Sequence, residues 1–391
     1  MVAALSNRKF FIYLCVAACA DGGYWISAIA QGWLVVKLTN SPLWLGAVAA
    51  AGQLPFLLFS LLGGEVADRF DRRVVIAINN ILTAIVASIT AALIAWGSIT
   101  VWWLLILAFM AGTITALEHP VDRALVYDLV EGKHLASSIA LSSLEWAVAR
   151  TFGPALGGAA VALIGVASGY AAYAALVIPI ALFAMVLRAR KSGDKAEDQT
   201  PTSSGNLHAI IVFSIFIGTF TIGVSPYVTL LPDIAHNGFG LDARGYGLMA
   251  AAGGIGAIGG AITLALLGDL RKMGRIVPIA SFVGAALLIA FTRVHSLLLA
   301  IPLLVLMGVV DTLMYAVANT YVQKISGDAA RGQANAIFSV AFLGGIPIGA
   351  MLLGWLASRL GTTNALGWSG AAVCVAAVVF WFGAGHAREA A

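Results

Sequence analysis

The sequence predicts an all-α membrane protein of twelve transmembrane helices in two pseudo-symmetric six-helix bundles. Three observations carry this. Of 391 residues, 61% are hydrophobic and only 10% charged, against about 25% charged in an ordinary soluble domain. The apolar runs reach the roughly 20 residues that a helix needs to cross a hydrocarbon core ~30 Å thick. They are too long for the ~10-residue alternating strands of a membrane barrel.

The elements follow in order. Arg8-Lys9 precede an apolar run over 10–37, too long for a cleaved signal segment, so it reads as a first span kept in the mature chain. Further apolar runs cover 43–67, 74–97, 101–122, 136–165 and 169–188. The stretch 189–207 is charged, then rich in Ser, Thr, Pro and Gly, and reads as a flexible cytoplasmic linker. Six more runs lie over 208–232, 244–268, 276–292, 297–322, 334–357 and 365–384. The expected domains are therefore bundles 1–188 and 208–391. The halves echo each other. A charged turn at Gly64–Arg73 recurs more faintly at Gly268–Arg275, and Gly153-Pro154-Ala155-Leu156-Gly157-Gly158 in span 5 recurs as Gly344-Gly345-Ile346-Pro347-Ile348-Gly349 in span 11. Repeated halves around a midplane site describe a secondary transporter.

Basic side chains orient the chain. With the N-terminus inside, seventeen Lys and Arg fall on the cytoplasmic side and four outside, and Arg150 alone falls within a span. By the positive-inside rule both termini are cytoplasmic. Trp33, Trp44, Trp96, Trp102 and Trp103 fall at outer span ends, where interfacial anchors belong. The implied localisation is a bacterial cytoplasmic membrane.

Several function classes drop out. A net charge of +4 is accounted for by topology and gives no reason to expect a nucleic-acid partner. Cys15, Cys19 and Cys374 sit in apolar runs with neither metal nor disulfide spacing. No nucleophile–base pair, phosphate-cradling loop or cofactor motif appears, so no enzyme, metal or cofactor is expected. A receptor or scaffold gains nothing from ionisable residues at mid-membrane, and this chain retains several. The expected partners are a small-molecule substrate, protons and the lipid bilayer, with the chain acting as a monomer.

An ionisable residue at the bilayer centre costs at least ~2.5–3.5 kcal/mol to insert and is read as functional by default. Asp21 lies twelve residues past Lys9, roughly 18 Å in by helix rise. Glu145 lies nine past Ala136, roughly 14 Å in, and Asp311 fourteen past Leu297, roughly 21 Å from the outer end. Glu118 sits nearer the inner end of span 4. Asp21, Asp311, Glu145 and Glu118 form the candidate proton-coupling set. Arg150 is five residues from Glu145, about 140° round the helix, so it is expected to pair across helices or attract an anionic substrate group. Tyr24 and Trp25 follow Asp21 by three and four residues, and Tyr315 follows Asp311 by four, sharing their faces. Acids beside aromatics suit an amphipathic or aromatic substrate. Plain interhelical packing accounts for each aromatic equally well. At the inner side Gly64, Asp68, Arg69, Arg72 and Arg73, with Glu118, His119, Asp122 and Arg123, make a candidate gate of ion pairs. Gly153, Pro154, Gly157 and Gly158 make a candidate helix-packing hinge, with Gly253, Gly254, Gly256, Gly259 and Gly260 of span 8 as the matching small surface.

These stretches resemble the major facilitator superfamily. Gly64-x-x-Ala67-Asp68-Arg69-x-x-Arg72-Arg73 is similar to its signature loop between helices 2 and 3, with Asp71 where a second glycine is usual. Leu38-Thr39-Asn40-Ser41, Pro120-x-x-Arg123, Ala149-Arg150-x-x-Gly153-Pro154-x-x-Gly157-Gly158 and Tyr246-Gly247-Leu248 resemble the branch of drug and siderophore exporters of the enterobactin-exporter type. The resemblance implies that Asp68, Arg72 and Arg73 stabilise an outward-facing state. It also implies that the span-5 motif marks an exporter working by antiport. The expected function is export of a small amphipathic molecule, drug- or siderophore-like, by proton antiport with alternating access. A lipid or lysolipid flippase on the same fold and a non-transporting receptor or scaffold are the alternatives.

Overall fold

A computed structural model describes residues 7–130, 134–187, 207–267 and 273–385. Among the described residues all regular structure is helical. Helix α1 (Arg8–Thr39) begins at Asn7, whose side chain accepts from the N–H groups of Lys9 and Phe10. It ends at Asn40 with φ 45°. Asn is the non-glycine residue that best tolerates this left-handed conformation. Helices α2 (Pro42–Arg69), α3 (Arg72–Ala95), α4 (Val101–Leu129) and α5 (Leu135–Leu163) follow. The sixth span is two pieces, α6 (Ala167–Leu176) and α7 (Ile178–Val186), divided just ahead of Pro179, which lacks a donor for the ladder.

The seventh span is broken too. Helix α8 (Leu207–Gly223) stops before Ser225-Pro226, α9 (Tyr227–Asp233) resumes, and a π-helical turn over Ile234–Gly238 closes it. Helices α10 (Ala243–Leu267) and α11 (Met273–Phe291) precede α12 (Leu297–Leu360) and α13 (Thr362–Gly383). Helix α12 departs from expectation. Spans 10 and 11 were expected as separate helices, but the helical backbone runs unbroken for 64 residues. The segment between them is polar and contains no proline, so nothing removes a backbone donor.

Among the described residues, eleven helical segments are long and apolar enough to cross a membrane. Helix α5, at 29 residues, supplies the twelfth, and its Glu145, Arg150 and glycines dilute its apolar character. The chain sorts into two compact units. One comprises 1–40, 51–194 and 241–254, the other 41–50, 195–240 and 255–391. The first unit has a buried core of Phe10, Tyr13, Ile76, Val121, Leu125 and Ile180. In the second, Phe216 stacks on Phe380 at 4.2 Å and Phe213 meets Tyr321 at 4.6 Å. Trp96, Trp102 and Trp103 are exposed, as anchors should be, but Trp33 is 5% exposed and packs inside.

Candidate transport site

In the first unit the acids of three helices gather. Asp21 on α1 and Glu145 on α5 lie within hydrogen-bonding reach of each other. The Oε1 atom of Glu145 is buried, and no donor reaches it among the described residues. Four aromatics surround the pair. Tyr24 meets Trp25 edge-on at 5.4 Å, Trp146 at 6.2 Å and Tyr173 at 6.3 Å, and Trp25 meets Trp146 at 5.8 Å. The Arg150 guanidinium lies 5.8 Å over the Trp25 ring, a cation–π contact. The indole Nε1 of Trp25 is buried without a hydrogen-bond partner among the described residues. Two open polar atoms among aromatic faces, one acceptor and one donor, can bind a molecule with a flat apolar body and polar edges.

Glu118 and Asp122 continue the acids along α4. The Asn80 amide donates to Glu118 Oε1 and, at 3.0 Å, to the Ile76 carbonyl. The Tyr13 hydroxyl donates to Asp122 Oδ1 at 2.8 Å. His119 packs edge-on against Phe56 at 5.4 Å.

The arginines of the turn between α2 and α3 are paired, Arg69 and Arg73 locally and Arg72 across to α4. Arg72 donates to Asp128 at 2.8 Å and to the Ala124 carbonyl at 3.4 Å. Asp122 therefore bonds Tyr13, while the partner of Arg72 is Asp128, a residue outside the expected gate. Arg73 donates to Asp71 at 2.9 Å from Nε and 2.5 Å from Nη2, and to the Leu187 carbonyl, tying α3 to the end of α7. The Arg73 hydrogen bonds hold the Asp71 carboxyl below the usual carboxylate range. Arg69 pairs with Glu65 at 2.6 Å on the surface. The side chain of Asp68 lies outside the described residues, as does the turn 268–272. Arg123 follows Asp122 on the same helix. A side chain added at Gly64 would meet nothing within 4 Å. The close approach is at Gly63, where a Cβ would lie 2.9 Å from the Ala116 carbonyl oxygen.

Span 5 packs as its small residues suggest. A Cβ on Gly153 would sit 2.5 Å from Trp25, and one on Gly157 2.9 Å from the Ile26 backbone. Gly158 faces α10, with Ala243 O 2.5 Å and Gly247 Cα 3.0 Å from the added carbon. The span-8 glycines are not one surface for span 5. Gly254 meets Arg150 and Thr151, whereas Gly256 and Gly260 pack on Val305 and Val309 of α12. The helix turns its successive glycines by about 100° per residue, so a run of them serves two neighbours.

In the second unit Asp311 on α12 accepts from Ser225 at 3.1 Å, at the break between α8 and α9. Tyr315 sits in an aromatic group with Phe342 at 4.8 Å and Phe338 at 5.9 Å. The sequence reading missed Trp146, Tyr173, Asn80, Tyr13, Ser225, Phe338 and Phe342. Trp146 adjoins Glu145 and Ser225 precedes a proline inside an apolar run, so both left a signal. The others are single apolar or polar residues without a local pattern.

A family model described as transmembrane secretion effector matches residues 1–390. The staphyloferrin A transporter of Staphylococcus aureus is 26% identical over 385 residues, covering 92% of each chain. The multidrug efflux pump Tap of Mycobacterium tuberculosis is 27% identical over 392 residues, 91% of this chain and 89% of that one. A bacterial homologue of the iron transporter ferroportin, solved inward-facing, superposes with a TM-score of 0.78 at 16% identity over 98% of this chain and 99% of that chain. The nucleoside transporter NupG does so with 0.72 at 15% identity over 96% and 98%.

Proposed function

The chain belongs to the transmembrane secretion effector family of the major facilitator superfamily, and from that premise we propose that it exports a small amphipathic organic molecule in exchange for protons. The contact between Asp21 and Glu145 carries the reading. Two carboxylates in contact repel when both are ionised, and a proton shared between them turns the contact into a hydrogen bond. Loss of that proton opens the pair and leaves it free to bind a polar group of the substrate. The faces of Tyr24, Trp25 and Trp146 hold the apolar body, and Arg150 answers a negative group. Proton and substrate thus compete for one pair, which is the chemistry of exchange. Glu118, then Asp122 with Tyr13, lie along α4 toward the charged turn and give the proton a route to that side. Asp311 and Tyr315 offer a second acid-and-aromatic surface in the other unit. The seventeen-to-four distribution of basic residues supports both termini in the cytoplasm of a bacterial cell, and the chain acts as a monomer.

The acid-and-aromatic lining supports an amphipathic substrate, and the names of the two relatives support a drug- or siderophore-like one. The test uses purified protein in weak buffer with a pH-sensitive dye. Saturating ethidium, a flat aromatic cation, is expected to release protons from the wild type and none from Asp21→Asn. Saturable binding with no proton release from the wild type contradicts competition at this pair.

A further inference from the structure

Outside the acid cluster, the first unit carries a lipid-facing groove of about 410 Å³ between α3 and α7. Its walls are Ile81, Ile85, Ile89, Leu182 and Met185, each between 41% and 56% exposed. Its polar residue nearest the charged turn, Asn80, directs its amide away to Glu118 and the Ile76 carbonyl. An apolar floor and walls favour a hydrocarbon occupant over a polar one.

Depth narrows the occupant further. Beyond the groove on the side of the charged turn, Arg73 at the start of α3 donates to the Leu187 carbonyl at the end of α7. From Arg73, residues 80–89 lie about 10–24 Å along the helix. A headgroup layer of about 5–7 Å and half the hydrocarbon core, about 15 Å, place the bilayer midplane some 20–22 Å from a headgroup at the level of Arg73. The groove therefore spans the acyl region of a single leaflet and ends near the midplane. Two helical turns before the groove, about 10 Å from Asn80 by helix rise, Arg73 uses three of the five guanidinium donors on Asp71 and Leu187 among the described residues. The remaining N–H groups suit a phosphate.

We propose that this groove binds one acyl chain of an anionic phospholipid, from the leaflet on the side of Arg73, with the lipid phosphate on that arginine. The occupant braces α7 against α3 at the hydrogen bond that joins their ends. Through Asn80 it adjoins the helix face that carries Glu118, so lipid composition bears on the acid column.

Native mass spectrometry of the purified protein tests this with palmitoyl-oleoyl phosphatidylglycerol and the matching phosphatidylcholine. The wild type is expected to retain the glycerol lipid about fivefold over the choline lipid, the preference that one basic side chain gives an anionic lipid. Arg73→Gln is expected to abolish that preference. Ser88→Phe, which fills the groove, and the smaller Ser88→Leu are expected to lower retention of both lipids. Val379→Phe, on an exposed face of the second unit, leaves both unchanged. Equal retention of the two lipids by the wild type overturns the proposal, and so does wild-type retention in both Ser88 variants.

Discussion

Asp21 and Glu145 show how much a single contact can decide. Alone, each is an acid inside an apolar span; together they lie within hydrogen-bonding reach, and in the proposed exchange one proton joins them. Asp21→Asn is expected to lower pH-driven transport tenfold or more, about 1.4 kcal/mol, while substrate counterflow without a gradient persists. Loss of both together, in protein that elutes as wild type, shows that Asp21 is required for substrate binding and not for proton coupling alone. The surface pair Asp71–Arg73 makes a contrasting case. Arg73 holds the Asp71 carboxyl below its usual range, so the pair stabilises the fold above the unfolded pKa near 3.9. That stability is lost as pH falls through the lower folded value. Asp71 is 40% exposed, so the contribution at pH 7 is about 0–1 kcal/mol. Asp71→Asn keeps an N-cap at the start of α3. It is expected to lower thermal stability slightly at pH 7 and to match the wild type well below pH 3.9.

At the scale of the element, the glycines of span 5 carry the close helix approaches. Gly158→Ala puts a carbon 2.5 Å from a backbone oxygen of α10. A backbone atom cannot move aside as a flexible side chain does, so the substitution is expected to destabilise by about 1–3 kcal/mol. Gly64→Ala meets nothing. It is expected to be neutral or stabilising by up to about 1 kcal/mol, because Ala is the better helix former. Unfolding followed in detergent distinguishes the two, and equal losses contradict this account of the packing. These elements also show what was legible in the sequence. The small-residue run of span 5 marks a packing face because every such residue removes a side chain. The same logic could not say which neighbour each span-8 glycine meets, since that depends on the phase of the helix. Nor could it separate Asp122 from Asp128 as the partner of Arg72, six residues apart on one helix. Charges inside apolar runs stand out by their energetic penalty, and this made Asp21, Glu145 and Asp311 readable. Tyr173 and Phe342 carry no such penalty, and only the folded chain brings them to Tyr24 and Tyr315.

For the whole molecule, apolar run length gave the fold class, and the basic residues gave the expected orientation. Their uneven distribution predicts that a cysteine at Ser98, in the turn before α4, reacts with a membrane-impermeant maleimide added outside intact cells. One replacing Phe70 is expected to react only after permeabilisation. The reverse pattern inverts the topology. The central claim is exchange of protons for an amphipathic substrate, and flux in proteoliposomes under an imposed pH gradient tests it most directly. The account predicts that ethidium moves against the direction of the proton gradient, reverses when the gradient is reversed, and loses this dependence in Asp21→Asn. Protein-dependent flux that is indifferent to the size and sign of the gradient contradicts it.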